Sequence, residues 1–332
     1  MKVVVIGATG HIGSYLVPRL VREGHEVVAL SRGDQKPYVD DPAWQRVAWV
    51  KLDREAEDAA GTLGQRLAAM HPEAVVDLLC FRTASAHQLL EALAPQDCYL
   101  LHCGTIWVHG APVEVPVTEA VARRPFGDYG VQKAAIEELL LGEARLGTLR
   151  CTVLHPGHIV GPGWAPLNPA GNFNVSVFER LAIGDDLALP NFGLETVHHV
   201  HADDVAQAFV KALAQPERAS GEAFHVVSER AVTLRGYAEA VAGWFDQSAR
   251  LSFQAWDDWA ANWSPLDAQA TWEHISRSPS MSIEKAVKLL GYRPRYSSLE
   301  AVFESLSWLV AHGQVSPAGR EMTFRSGPGE PR

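Results

Sequence analysis

Tyr129 and Lys133 stand four residues apart in Tyr-Gly-Val-Gln-Lys, so a helix carries both on one face. A phenol beside an ammonium makes a proton-transfer group. Tyrosine alone titrates near ~10, and an adjacent cation favours the phenolate, which brings general acid/base chemistry within reach of neutral pH. The spacing by itself does not decide the matter, since a Tyr and a Lys on an amphipathic helix commonly reflect a half-buried stripe and a solvated charge. Two features strengthen it. Tyr129 is the only tyrosine followed four residues later by lysine, and the chain opens on a glycine turn, Gly7-Ala8-Thr9-Gly10-His11-Ile12-Gly13. That turn lies between the apolar run Val3 to Ile6 and the helical pattern Tyr15 to Arg22. Strand, glycine turn and helix in this order let a pyrophosphate rest on the free amides of a helix start. A glycine-rich turn without a ligand is the alternative.

These residues need a scaffold, and the first half of the chain supplies one. Short apolar segments at Glu26 to Leu30, Val47 to Leu52, Ala74 to Leu79, Cys98 to His102 and Arg150 to Leu154 alternate with stretches of helical spacing such as Glu55 to Met70 and Ala84 to Ala94. The alternation predicts an α/β fold, a doubly wound parallel sheet covered on both faces. It breaks after Pro156-Gly157, where Gly161-Pro162-Gly163 and Pro166 to Gly171 read as a loop. The expected organisation is a nucleotide-binding Rossmann domain over 1–156, then a smaller lobe over 157–314 interwoven with further sheet strands. A loose tail rich in Gly, Pro, Ser and Arg is expected over 315–332.

Composition narrows the class. With 47% hydrophobic and 20% charged residues among 332, the chain can bury a substantial core. A formal charge of −10 disfavours nucleic acid or an anionic membrane surface as partner. No apolar stretch approaches the ~20 residues that span a bilayer, so the expected location is cytoplasmic. Cys80, Cys98, Cys103 and Cys151 show neither a C-x-x-C pair nor zinc-ligand spacing and read as reduced thiols.

The G-x-x-G-x-x-G spacing resembles that of the short-chain dehydrogenase/reductase superfamily, in particular its extended branch of NAD-dependent epimerase/dehydratase proteins. The resemblance runs to about residue 312. It implies that Gly7, Thr9, Gly10, His11, Ile12 and Gly13 bind NAD(P), that Tyr129 and Lys133 are catalytic, that Lys133 also holds the nicotinamide ribose, and that the protein is a homodimer. Cys103-Gly104-Thr105-Ile106-Trp107-Val108-His109-Gly110 is similar to the family's S-S-[ST]-x-x-V-Y-G. This puts Thr105 in the place of the catalytic hydroxyl, with Trp107 a substrate-side candidate, while Cys103, Gly104 and His109 replace two serines and a tyrosine. Leu78-Leu79-Cys80-Phe81-Arg82 corresponds to a segment lining the nicotinamide end, which makes Leu79 and Cys80 cofactor candidates and Arg82 a substrate candidate, unless Arg82 merely caps the sheet.

His155-Pro156-Gly157-His158-Ile159-Val160-Gly161-Pro162 resembles R-P-G-N-x-x-G-P, bordering the nicotinamide carboxamide and the substrate, with His155 for Arg and His158 for Asn. Thr196 to Val205 is similar to T-R-D-F-I-H-V-D-D-V, with Val197 where nucleotide-sugar enzymes carry an arginine for the diphosphate. Both departures argue against a UDP-sugar and for a free, phosphorylated or glycosidic sugar or a related polyol. Trp164, Asn168, Asn172 and Asn174 lie in or beside the long loop, suited to stacking on and bonding a sugar, with helix capping the alternative for Asn174. His198, His199 and His201 cannot all face one side of a strand, so packing roles are expected and no metal.

Cofactor choice is set after the second strand. An NAD enzyme commonly places a carboxylate there for the ribose 2′-hydroxyl; this chain has Ser31-Arg32-Gly33. Arg32 favours NADP, with NAD served by Asp34 or a backbone amide as the alternative. Asp53, after the third strand, corresponds to the family's acidic position beside the adenine amino group, or else caps a helix. The combined expectation is an NAD(P)-dependent oxidoreductase or epimerase acting on a hydroxyl carbon of a sugar-like compound. The rivals are a nucleotide-sugar 4-epimerase/dehydratase and a non-catalytic cofactor-sensing or RNA-associated protein of the same fold.

Overall fold

Val3 and Val5 enter one hydrophobic cluster and Val4 and Ile6 another, so the first strand is buried on both faces. Such a strand belongs inside a sheet covered by helices on both sides. The computed structural model describes residues 1–325 and shows that arrangement. Its strands are β1 (Lys2–Ile6), β2 (Glu26–Ser31), β3 (Ala48–Lys51), β4 (Ala74–Asp77), β5 (Tyr99–Cys103), β6 (Arg150–Pro156), β7 (His158–Val160), β8 (Asp186–Pro190), β9 (Thr196–Val197), β10 (His199–His201), β11 (Ala223–Val226), β12 (Val232–Thr233) and β13 (Arg250–Gln254). Seven form a parallel sheet in the order β11-β6-β5-β4-β1-β2-β3. The order reverses at β1, where connections leave to opposite sides and open a crevice at the strand ends.

The helices are α1 (His11–Arg22), α2 (Arg54–Ala60), α3 (Leu63–Ala68), α4 (Thr83–Leu93), α5 (Gly127–Leu146), α6 (Ser176–Ile183), α7 (Ala202–Leu213), α8 (Pro216–Ala219), α9 (Leu234–Trp244), α10 (Trp256–Ala260), α11 (Pro265–Ile275), α12 (Glu284–Leu290) and α13 (Ser298–Ala311). Val3, Val5, Leu16, Phe209, Leu290 and Tyr292 share one core, drawing α1, α7 and α12 onto one face of the sheet. Val4, Leu67, Leu89 and Ile136 share the other, under α3, α4 and α5. A third cluster, with Phe178, Leu189, Val241 and Leu306, builds the second lobe.

The stretch Glu55 to Met70 is two helices rather than one, because Gly61 takes φ +68 and closes α2 with a left-handed cap. Residues 315–325, expected in a loose tail, are docked. Val315 is buried, Met322 and Phe324 pack on the second-lobe core, Thr323 N donates to Trp244 O at 2.8 Å, and Trp244 Nε1 donates to Arg325 O at 3.1 Å. Apolar residues scattered among Gly, Pro and Arg are what hold it. The remainder of that expected tail, 326–332, lies outside the described residues.

Candidate active site

The glycine turn ends β1 and starts α1. Gly7 takes φ +87, and a side chain at Gly13 would put its Cβ 2.4 Å from Ala8 O and 2.5 Å from Gly7 O, so neither tolerates substitution. Gly10 caps α1 with no side-chain hydrogen bond, and the first turn holds no acid, which leaves amides free for an anion. A cavity of about 260 Å³ opens beside it, walled by Gly7, Thr9, Arg32, Asp53 and Leu79 among others. Arg32 is 69% exposed with only Asp34 near, at 3.7 Å. Asp53 lines the cavity while capping α2, its Oδ1 accepting from Glu55 N at 3.0 Å. Under the floor, Arg54 pairs with Asp77, whose Oδ1 also accepts from Leu79 N at 3.0 Å and fixes the loop after β4. These residues fit a dinucleotide.

Several expected cofactor side chains do other things. Ile12 packs into the core, so only its backbone serves the turn. The Cys80 thiol is turned inward, is 1% exposed and is pushed up to about 12 by burial, so it does not wall the cleft. His11 stacks on Trp164 at 3.6 Å between ring centroids, and burial pulls it down to about 4, so a neutral aromatic pair covers the helix start.

Tyr129, Lys133 and Glu137 follow one face of α5. The Tyr129 ring is 41% exposed, but its phenol end is enclosed, and burial pushes it up to about 12 while the Thr105 hydroxyl pulls the other way. Lys133 was expected to lower this phenol. Instead its Nζ donates to Cys103 O at 2.6 Å under the Phe81 ring, 5.9 Å from the Tyr129 ring centroid, and burial pulls the ammonium down. The Cys103 carbonyl takes the proton donor that sequence spacing had assigned to the tyrosine. Thr105 sits at the end of β5, its Oγ1 accepting from Trp107 N at 3.3 Å.

His155, expected at the nicotinamide carboxamide, is fully buried beneath the site instead. Its Nδ1 accepts from Thr105 N at 2.9 Å, and its Nε2 lies 3.3 Å from Glu137 Oε1. Arg123 Nε holds the same carboxylate at 3.0 Å; burial alone would raise Glu137, but His155 and Arg123 keep it well below the usual range. A Cβ at Gly104 would sit 2.4 Å from His155 Nδ1, so the ring occupies the space a serine there would need. Two departures from the family pattern, Gly104 and His155, are therefore one packing solution. His109 and His225 form another, with Nε2 atoms 2.7 Å apart. His225 Nδ1 faces Ser282 O at 3.1 Å and must carry the proton, so His109 is the donor of the pair.

On the substrate side, Trp107 lies edge-on to Tyr129 with centroids 5.6 Å apart. His158 is half-buried near His274 and His199, with its Nε2 enclosed. Arg82 points outward, 68% exposed and 3.6 Å from Asp128. Trp164 donates from Nε1 to Ile159 O at 3.1 Å, its face already taken by His11. Asn172 is not a substrate residue here. It is fully buried, its Nδ2 donating to Thr271 Oγ1 at 3.1 Å, because the long loop needs its own backbone and amides satisfied. Asn168 is equally enclosed, and Asn174 Oδ1 accepts from Ser176 N at the start of α6. Among the four loop residues only Trp164 borders the cofactor turn.

Sequence reading missed Arg277 and His274, which follow or end α11 and reach the site from 150 residues away. Arg277 is sandwiched between Trp107 and Phe126, 3.8 and 3.9 Å from their centroids, and donates to the carbonyls of Phe126 and Glu273. Burial lowers it to about 10. No carboxylate pairs with it among the described residues. Of the histidines after β9, His198 Nε2 bonds Ser228 O at 2.9 Å, and His201 Nδ1 accepts from Asp203 N at 3.0 Å to cap α7.

Residues 3–226 match the model of the NAD dependent epimerase/dehydratase family. The 2'-dehydrokanamycin reductase of Streptomyces kanamyceticus is 30% identical, over 73% of this chain and 66% of its own length, slightly under two thirds. The chloroplast stem-loop binding protein of 41 kDa b of Arabidopsis thaliana is 27% identical, over 92% and 78%. Among solved structures, a UDP-glucose 4-epimerase with UDP-glucose from Thermotoga maritima superposes with a TM-score of 0.70 at 20% identity, covering 94% of this chain and 99% of that one.

Proposed function

The chain belongs to the NAD dependent epimerase/dehydratase family of enzymes, and from that membership we propose a dinucleotide-dependent oxidoreductase that works on a hydroxyl carbon of a sugar or related polyol bearing no nucleotide diphosphate. The observation that carries the reading is the grouping of Tyr129, edge-on to Trp107 with centroids 5.6 Å apart, with Thr105, whose Oγ1 accepts from Trp107 N at 3.3 Å, and with Lys133 one turn along the same helix. When bound, the dinucleotide supplies the hydride acceptor or donor. The chain's own part is proton transfer and placement. Thr105 Oγ1 and Tyr129 Oη bond the reacting oxygen, and Tyr129 gives or takes its proton. A phenol pushed up to about 12 is protonated at neutral pH, which supports protonation of a carbonyl oxygen as it is reduced. The Lys133 ammonium, now on Cys103 O, is the donor available for the nicotinamide ribose.

Arg32, unpaired except for distant Asp34, supports NADP over NAD. Two observations support a substrate without a diphosphate. Val197, where nucleotide-sugar enzymes resembling this one carry arginine, is buried in the second-lobe core. Arg277, the guanidinium near the site, donates from Nη1 and Nη2 to carbonyls and gives its faces to two rings, while its Nε is buried without a partner among the described residues. The kanamycin-related name of one relative accords with a glycosidic substrate. The expected homodimer and cytoplasmic setting belong to the same reading, alongside four free buried cysteines and, among the described residues, no helix long and apolar enough to cross a membrane. Denaturing the purified protein and identifying released or added dinucleotide, then assaying reduction of keto-sugars against UDP-sugars, tests it. Turnover with UDP-sugars alone refutes the substrate class.

A further inference from the structure

His158 and His199 are partners in register on the parallel pair β7 and β10, with ring centroids 5.8 Å apart. The His274 ring lies 5.1 Å from that of His158. Each of the three rings makes one hydrogen bond to a backbone group whose polarity is fixed, and this assigns the tautomers. His158 Nδ1 accepts from His198 N at 3.3 Å, so its proton is on Nε2. His199 Nε2 faces Leu167 O at 3.1 Å and must donate, which leaves Nδ1 bare. His274 Nδ1 faces Ala270 O at 2.6 Å and donates, which leaves Nε2 bare. Burial holds all three rings below their ordinary value, so they are neutral at neutral pH.

One donor and one acceptor of this set are then orphaned. His158 Nε2 and His199 Nδ1 are buried with no hydrogen-bond partner among the described residues. Unmade bonds of this kind cost about 1–3 kcal/mol each, and His198 one residue away has none unmade. The cluster also continues the catalytic wall. Trp107 lies edge-on to both Tyr129 and His274, at 5.6 and 5.2 Å, and Phe173, half exposed, closes over His274 at 5.4 Å.

We propose that His158, His199 and His274 form a subsite for a neutral hydroxyl group of the substrate, remote from the carbon that reacts. His158 Nε2–H donates to the hydroxyl oxygen, and the hydroxyl O–H donates to His199 Nδ1, with His274 Nε2 a second acceptor. A hydroxyl both donates and accepts, matching the set. A carboxylate or phosphate only accepts and would meet bare lone pairs on two rings; an ammonium only donates and would meet the His158 N–H. The path from Tyr129 over Trp107 to His274 spans two ring contacts, which suits a glycoside whose second ring carries the recognised hydroxyl. The inference rests on the reading of Tyr129 as the reacting end, and it adds to that reading one recognised hydroxyl remote from the reacting carbon.

The test uses the full chain with isotopically labelled histidine nitrogens, assigned through His158→Asn, His199→Phe and His274→Phe, and long-range proton–nitrogen NMR correlation at neutral pH. The expected tautomers are Nε2–H for His158 and His199 and Nδ1–H for His274. Methyl β-D-glucopyranoside and methyl β-D-galactopyranoside should move the His158 and His199 signals, acetate and inorganic phosphate should not, and His199→Phe should weaken glycoside binding about tenfold or more, the worth of a buried hydrogen bond. A bare Nε2 or a cationic ring at His158 overturns the proposal. So do signals unmoved by both glycosides, which would mean structural water only, or signals moved by acetate or phosphate alone. Dinucleotide binding, followed separately by cofactor fluorescence, reports on the proposed function, and its failure leaves these readouts intact.

Discussion

Gly104→Ala adds a single carbon at a position where two deviations from the family pattern meet. That carbon would stand 2.4 Å from His155 Nδ1, 2.7 Å from its Cε1 and 2.9 Å from Val153 Cγ1. Reaching ordinary contact requires the ring to retreat by about 1 Å, yet His155 is fully buried and held by Thr105 N at 2.9 Å on one side and Glu137 on the other. Overpacking of this kind costs about 1–3 kcal/mol. Displacing the ring also strands the Thr105 N–H, for about 1–3 kcal/mol more. The expected loss is roughly 2–6 kcal/mol, read in urea as a lower midpoint at unchanged slope. Because Thr105 loses its backbone anchor, activity should fall further than stability explains, with cofactor affinity preserved. The double variant Gly104→Ala/His155→Ala relieves the collision, so the two changes together should cost at least ~1 kcal/mol less than their sum. A Gly104→Ala protein as stable as wild type, or strict additivity in the cycle, refutes the coupling.

Tyr129→Phe removes only the phenolic oxygen and should lower turnover at least about a hundredfold while leaving cofactor binding within error, as measured by calorimetry beside a keto-sugar assay. Wild-type rates would reject the role. Arg32→Ala should weaken NADP(H) by about 1.5–3 kcal/mol and leave NAD(H) nearly unchanged; equal weakening of both rejects the cofactor choice. Stability should fall on mild acidification. His198 and His199 are pulled down to about 4 and His109 to about 3 by burial, so each is neutral when folded and gains its proton on unfolding. Their contribution is complete above the unfolded value near ~6.5 and is lost as pH falls through the folded values, so the melting temperature should drop steadily from about pH 6.5 to 4. A flat profile over that range contradicts the assignment of neutral rings.

The sheet and its glycine turn were legible because their signals are local. Val3 to Ile6 shows unbroken apolarity, Gly13 is needed where a Cβ would strike Gly7 O, and the order strand, turn, helix follows from chain direction. The Tyr129 to Lys133 spacing was also local, but its electrostatics were not, since the Cys103 carbonyl that captures Lys133 comes from β5. The substituted motif positions told that the site differs without telling how. Gly104 and His155 explain one another only once β5 and β6 lie side by side, and His109 finds His225 across 116 residues. Arg277 and His274 carried no spacing at all, being brought in by the way α11 packs. The asparagines of the long loop looked polar and free, yet a loop folded inward must satisfy itself before it can offer anything to a ligand.

The core beneath β1 has a further consequence for how the protein is made. Val3 and Leu16 emerge early from the ribosome, but Phe209, Leu290 and Tyr292 complete the same cluster, and Arg19 waits for Asp203. The first face of the sheet therefore stays open until Tyr292 has been synthesised, while the face under α3, α4 and α5 can close earlier with material up to Val153, except for Ala223 on the last strand. Half of the nascent Rossmann layer must be shielded by something other than its own helices during that interval, which makes the N-terminal half alone a natural client for chaperones and a poor candidate for independent expression.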